Sequence, residues 1–267
     1  MDELRVLSIR IEAITTSFRY PNIMITKLPT FDMPPPATIY GNICCAVGDW
    51  FNSEDIEFAY VFTSKAKCFD LETTHVVKKS TGKLKGFSDM PKNTEGSINV
   101  YEREFLFMPI LDLYIKGKEG LLDKLEKSFI EPAFDFVIGR SQDLASCTEI
   151  DFITIKRAES IHLDNTLLPW EYRKYFTSGK AVMMPEYLDY LQKRTPYLER
   201  YLQLKNDAVF FSKKNGSLNF INHKKDDIWD RDIWEDRRYC RRYKSASFYR
   251  GLVFHKLKGM ELWKNIV

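Results

Sequence analysis

The chain has 267 residues, 44% hydrophobic and 29% charged, with a net charge of only +3. That is apolar material for one large or two modest domains, and the bulk charge by itself announces no nucleic-acid partner. Five cysteines without a C-x-x-C pair and only four histidines exclude zinc-ligand spacing, and no window approaches the ~18 apolar residues of a membrane span.

Residues Leu4 to Ala13 alternate in polarity with β-branched residues among them, which predicts a strand. The start is charged and alternating rather than an apolar leader. With unpatterned thiols, this implies a cytoplasmic chain with buried free cysteines and neither metal nor cofactor. A proline-rich loop follows from Thr15 to Pro36. The segment ATIYGNICCAVGDW then places Ile39, Ile43 and Val47 four apart, predicting a helix entered through proline. Its other stripe is small: Ala37, Gly41, Cys45 and Gly48. Small residues there fit close packing on a sheet, or close approach of a ligand.

Phe58 to Phe62 reads as a second strand. Residues 65–92 then carry seven lysines against Asp70, Glu72 and Asp89, split by Ser80-Thr81-Gly82. This predicts a protruding hairpin with a basic surface, spanning about 64–104. Glu104 to Ile115 is a buried strand interrupted by Pro109, hence bulged or near an edge. Leu121, Leu122, Leu125 and Phe129 mark an amphipathic helix that Pro132 ends, and Glu149 to Ile155 is a further strand.

The order strand, helix, strand, basic insertion, strand, helix, strand is the ferredoxin-like, RNA-recognition-like plan. The expected fold is α+β: a domain over 1–157 with the hairpin inserted, and a less regular C-terminal α/β extension over 158–267. In the extension, residues 186–205 suggest helical runs broken near Pro196. Residues 226–236 hold six acids against one arginine, and residues 237–258 hold eight basic residues and no acid. Arg237, Arg238, Arg241, Arg242 and Lys244, interleaved with tyrosines, suit phosphate contact plus base stacking. The two blocks equally suit pairing with each other.

Three stretches together resemble the Cas-five family, the RAMP-superfamily subunit of type I CRISPR Cascade complexes. They are Ser17-Phe18-Arg19 after the first strand, Met33-Pro34-Pro35-Pro36-Ala37-Thr38-Ile39-Tyr40-Gly41, and Ile138-Gly139-Arg140-Ser141. The proline-rich piece is the most specific. The resemblance covers roughly residues 1–155, and the length is closest to type I-B members.

The resemblance implies a subunit that caps the 5′ handle of the CRISPR RNA. Its thumb-like hairpin would reach over the guide to the neighbouring backbone subunit. The large subunit and target DNA near the PAM are further implied partners, and a membrane is not. The implied RNA contacts are Arg19 and Tyr20 (phosphate and base), Pro36, Thr38, Tyr40 and Gly41 at a helix N-terminus, Lys78, Lys79, Lys83 and Lys85 on the thumb, and Gly139, Arg140, Ser141 and Gln142 in a glycine loop. No catalytic residue is expected. One subfamily cleaves precursor RNA with a tyrosine and a Lys-His pair, but here Tyr114-Ile115-Lys116-Gly117 has no histidine beside the lysine. A metal-independent endoribonuclease and a protein-only scaffold are the alternatives.

Overall fold

The computed structural model describes residues 3–23, 26–79, 82–91, 94–176, 178–189, 193–206, 208–213, 228–229 and 231–257. The alternation at the N-terminus makes strand β1 (Glu3–Ala13), with Leu7, Ile9 and Ile11 buried on one face and Val6, Ser8 and Arg10 on the other. After β2 (Thr15–Thr16) and β3 (Lys27–Leu28), Pro36 opens helix α1 (Pro36–Val47) at a position where its missing N–H costs nothing. Gly48 ends the helix with φ +79°, donating its N–H to the Cys44 carbonyl. The buried stripe of α1 is Ile39, Tyr40 and Ile43. The small stripe faces outward, and a Cβ at Gly41 would meet nothing within 4 Å. Close packing does not explain that glycine.

Strand β4 (Ile56–Thr63) leads into β5 (Ala66–Lys79), a short ribbon of β6 (Lys83–Leu84) and β7 (Phe87–Pro91), and β8 (Thr94–Phe107). The expected single strand around Pro109 is two strands. β8 ends at Phe107, Met108 follows with φ +47°, and β9 (Ile110–Gly117) resumes in another sheet. Proline removes the ladder donor just where the two sheets part. Helix α2 (Glu119–Ile130) buries Leu122, Leu125 and Phe129, and β10 (Ala145–Arg157) follows.

In space these strands lie β10-β1-β9-β4, every neighbouring pair antiparallel. Both helices pack on the face of Leu7, Ile9, Ile11, Leu111, Leu113 and Ile115. Part of the C-terminal half continues the same sheet, and part forms a separate three-stranded sheet. That half contains β11 (Ser160–Leu163), β12 (Thr166–Pro169), β13 (Lys180–Asp189), β14 (Thr195–Leu204), β15 (Val209–Ser212), β16 (Ile233–Tyr243) and β17 (Ala246–Val253). β16 joins β10 at Lys156 and Arg157, so the sheet runs on across residue 157 to the order β15-β11-β17-β16-β10-β1-β9-β4.

The helical runs expected at 186–205 are instead the hairpin β13–β14. Its Tyr and Leu residues repeat at helical spacing, but Pro196 forbids a helix interior there. Pro185 is tolerated on an edge strand beside a register shift. Among the described residues of the extension there is no α-helix, and the 3₁₀ turn Trp170–Tyr175 leads from β12 toward β13. All five cysteines are free. Cys44 is buried as expected, but Cys240 is exposed. Among the described residues, no helix is long and apolar enough to cross a membrane.

One histidine locks the two halves. Phe58 and His255 exchange both backbone hydrogen bonds, at 3.1 and 2.7 Å. The His255 ring lies among Phe58, Tyr60 and Tyr201, and its Nε2 donates to the Leu167 carbonyl at 2.9 Å. Burial pushes its pKa down to about 4, against a hydrogen bond that acts the other way. The folded chain therefore holds it neutral, while the unfolded chain protonates near pH 6.5. Its contribution to stability is present above that pH and is lost as pH falls from 6.5 toward 4, by roughly 3 kcal/mol at most. His255→Gln should flatten this acid limb, as measured by urea denaturation at pH 7 and pH 4.5. An unchanged pH slope would contradict the assignment.

Candidate nucleic-acid interface

Two of the three resembling stretches meet at one place. The Thr16 hydroxyl donates to the Ile138 carbonyl, and the Thr15 hydroxyl donates to Asp143 at 2.7 Å. Gly139 has φ +104°, and a Cβ there would lie 2.6 Å from Thr16 Oγ1 and 2.8 Å from the Ser17 carbonyl oxygen. Only glycine satisfies both the dihedral and the gap. The root of the long β5–β8 hairpin joins them. The Ser17 hydroxyl donates to the Glu104 carbonyl at 2.8 Å, and the Thr30 N–H donates to the Glu104 carboxylate at 3.1 Å.

Charge is arranged along this root. Arg140 grips Asp143 with two guanidinium nitrogens, at 2.8 and 2.9 Å, and with its own N–H at 3.0 Å. Burial would raise the Asp143 pKa, but the hydrogen bonds from Arg140 and Thr15 outweigh it and hold the carboxyl below its ordinary range. Glu72 is likewise held low, chiefly by a bidentate pair with Arg103 at 2.5 and 2.8 Å, with Arg140 and Arg19 adding to the field. Arg140, expected to hold a phosphate, has two of its guanidinium nitrogens engaged by Asp143. Ser141 and Gln142 are exposed. Arg19 is exposed and has no hydrogen-bond or ion-pair partner among the described residues.

Tyr20 is half-buried and stacked on Phe31 with centroids 3.7 Å apart. Beside it Asp32 binds Lys67 at 2.8 Å and Lys205 at 3.1 Å. Burial raises the Tyr20 pKa, so the ring stays a neutral phenol.

The helix N-terminus does not join this site. Pro34, Pro35 and Pro36 are buried, and the N–H groups of Thr38 and Ile39 both donate to the Pro35 carbonyl. Tyr40 is buried with its hydroxyl donating to the Phe51 carbonyl, and Thr38 and Gly41 are only partly exposed. Of the donors expected to meet a phosphate at this helix start, the Thr38 N–H and the Tyr40 hydroxyl are thus already bonded within the chain.

The hairpin also differs from a uniformly basic arm. β5 and β8 pair from Ala66↔Phe107 to Lys79↔Thr94. Lys78 lies twelve register steps from the root, about 40 Å along the ribbon. Lys78, Lys83 and Lys85 are exposed near the tip, while the Lys79 side chain lies outside the described set. Between root and tip one face is apolar, with Phe69, Leu71, Val77, Ile98 and Val100 all more than half exposed. Counting lysines hid this stripe; the alternation of 69, 71 and 77 was the signal.

The second face of the main sheet, which an RNA-recognition domain would leave open, is covered. A register shift between Asp236 and Cys240 bulges β16 and swings Arg238 and Tyr239 over β1. Arg238 donates to Ser8 at 2.9 Å, and Arg10 donates to the Tyr239 hydroxyl at 3.0 Å. Arg237 pairs with Glu235 at 2.7 Å, Arg238 with Asp236 at 2.8 Å, and Arg241 with Asp164 at 2.9 Å. Of the expected phosphate contacts here, these three arginines already have acids. Arg242 and Lys244 stay exposed beside the turn.

No protein-family model and no curated protein matches the sequence. Among solved structures, the chain is similar to a chain of a CRISPR RNA-guided surveillance complex at 14% identity, covering 74% of this chain and 88% of that one with a TM-score of 0.48. It is similar to a chain of the Type III-B Cmr-β complex bound to cognate target RNA at 11% identity, covering 78% and 86% with a TM-score of 0.48. It is also similar to a CRISPR protein from Archaeoglobus fulgidus at 12% identity, covering 82% and 100% with a TM-score of 0.37. At such identities the likeness is one of backbone course and not of site residues.

Gly139→Ala should lower stability by about 1–3 kcal/mol through the left-handed backbone and the contact with Thr16. Thermal melting measures this, and a wild-type midpoint would sink the close-approach account.

Proposed function

We propose that this chain is a non-catalytic RNA-binding subunit of a CRISPR effector complex, of the Cas-five type, that holds the 5′ handle of the guide and reaches its neighbours with the hairpin. The observation that carries this reading is the convergence of Ser17-Phe18-Arg19 and Ile138-Gly139-Arg140-Ser141 at the root of a lysine-tipped arm. Two stretches that carry the family resemblance, far apart in sequence, form one surface. The antiparallel order β10-β1-β9-β4, with both helices on one face, fits a ferredoxin-like RAMP plan.

The arm suits two kinds of contact at once. Flexible lysines at its tip suit sequence-independent phosphate contact. Its apolar shank suits a protein neighbour, which the resemblance identifies as the backbone subunit. Away from the arm, the expected RNA contacts that stay open to solvent are Arg19, Tyr20 in part, and the exposed residues of the glycine loop.

The absence of chemistry in this proposal is supported by Tyr114. It is buried, donates to Asp236 at 2.9 Å, accepts from Arg250 at 3.0 Å, and burial raises its pKa. Such a phenol is a poor base for a 2′-hydroxyl. Lys116 is paired with Glu57 and Asp232 at 2.9 and 2.7 Å. His255 is enclosed, and the pair His223-Lys224 lies outside the described residues.

Charge reversal of Lys78, Lys79, Lys83 and Lys85 should weaken RNA retention in the assembled complex. The slope of log affinity against log salt should fall by roughly 0.7 for each lysine that touches a phosphate. Filter binding across a salt series measures this, and wild-type slopes in the quadruple variant count against the arm's role. The purified chain incubated with repeat RNA should leave it uncut; specific cleavage products would replace this reading with the endoribonuclease.

A further inference from the structure

We infer that a slot between the Tyr20 loop and strand β13 is a nucleotide subsite, taking one unstacked base of a single-stranded RNA with its phosphate at the rim. The inference rests on the RNA-binding reading above and assigns it a place that the resembling stretches alone do not reach. The slot is a cavity of about 340 Å³, lined by Tyr20, Asn22, Phe31, Lys180, Val182 and Met183 among others. That volume lies at the small end of ordinary ligand pockets. One wall is the Tyr20–Phe31 stack, and the other is the start of β13.

Three features favour a nucleotide over a greasy side chain. An aromatic wall offers a π-face that any base can stack on. Asn22 is exposed at the lining, and its amide both donates and accepts, as a base edge requires. The charge beside the slot is positive. Lys180 is exposed at the lining and has no hydrogen-bond or ion-pair partner among the described residues. The charged groups near the Tyr20 hydroxyl are Asp32, Glu104 and Lys67, with Lys205 on Asp32. Lys67 and Lys205 balance Asp32 and Glu104, which leaves Lys180 as the uncompensated charge at the rim, where a phosphate can meet it. The β13 wall belongs to the half of the chain that the family resemblance leaves silent, so the two halves complete one subsite.

The test uses the full chain and a short oligouridylate carrying 5-iodouridine, with photocrosslinking and mass mapping alongside filter binding. Adducts are expected on Tyr20. Lys180→Glu, at an exposed strand position, should weaken binding several-fold, and Tyr20→Ala roughly tenfold or more by the usual worth of a stacked base. Tyr20→Phe should stay within about twofold, because the phenyl ring still stacks. If loss of the Phe31 contact unfolds Tyr20→Ala, Lys180→Glu and the adduct map decide the matter. Adducts confined to the arm or the β16–β17 turn, with Lys180→Glu binding like wild type, overturn the subsite and leave the RNA-binding reading standing. Failure of every chain to retain RNA overturns both, and a partner protein's side chain filling the slot in the assembled complex overturns the subsite alone.

Discussion

Asp112 is a carboxylate in the middle of a sheet, and its neutralisation organises the molecule. It accepts from Arg10 at 2.8 Å and from Arg250 at 2.7 Å, and Arg250 also donates to Tyr114, whose hydroxyl donates to Asp236. A buried charge without these partners would be strongly unfavourable. The cations come from β1 and from β17, so the sheet is satisfied only when the C-terminal hairpin lies across it. A buried ionic network adds little net stability over an apolar core of the same shape, but it accepts few alternative arrangements. Here it specifies which strand covers which.

That closure has a functional consequence. With helices on one face and the bulged β16 on the other, neither broad face of the sheet is free for a ligand. What remains is peripheral: the loop after β2, the glycine loop before β10, the arm they anchor, and the slot against β13. The arm beyond its root is a two-stranded ribbon with an exposed apolar stripe. Such ribbons are marginal alone in water, and hydrophobic exposure of this extent marks an element whose partner is another molecule. Root and arm therefore differ in physics. The root is internally paired through Arg103, Glu72, Arg140 and Asp143, while the tip carries the exposed Lys78, Lys83 and Lys85.

The first half of the fold was legible because its periodicities are unmixed. Leu7, Ile9 and Ile11 alternate, Ile39 and Ile43 are spaced by one turn, and no competing pattern overlaps them. The hairpin at 186–205 was misread because Tyr197, Tyr201 and Leu204 satisfy a helical period, and the pairing with β12 and β13 that makes this stretch a strand is not written in its own pattern. The phosphate roles of Arg140 and Tyr40 were drawn from residue type, and local sequence does not say that Asp143 or the Phe51 carbonyl will take their hydrogen bonds. For residues 237–241 both a ligand-facing and a self-paired reading were open, and Glu235, Asp236 and Asp164 provide the second.

Local order along the chain settled the strands and helices of the N-terminal half, the proline-led start of α1 and the existence of a lysine-bearing arm, because dihedral preference and side-chain period act over a few residues. Tertiary structure alone decided which face of the sheet is covered, which arginines keep a free fork, and that Tyr20 shares a slot with Lys180. The covered face and the slot join residues far apart in the chain, such as Arg10 with Tyr239 and Tyr20 with Lys180. Even the near pairs Arg140–Asp143 and Arg237–Glu235 form only once the folded backbone brings their side chains to one side.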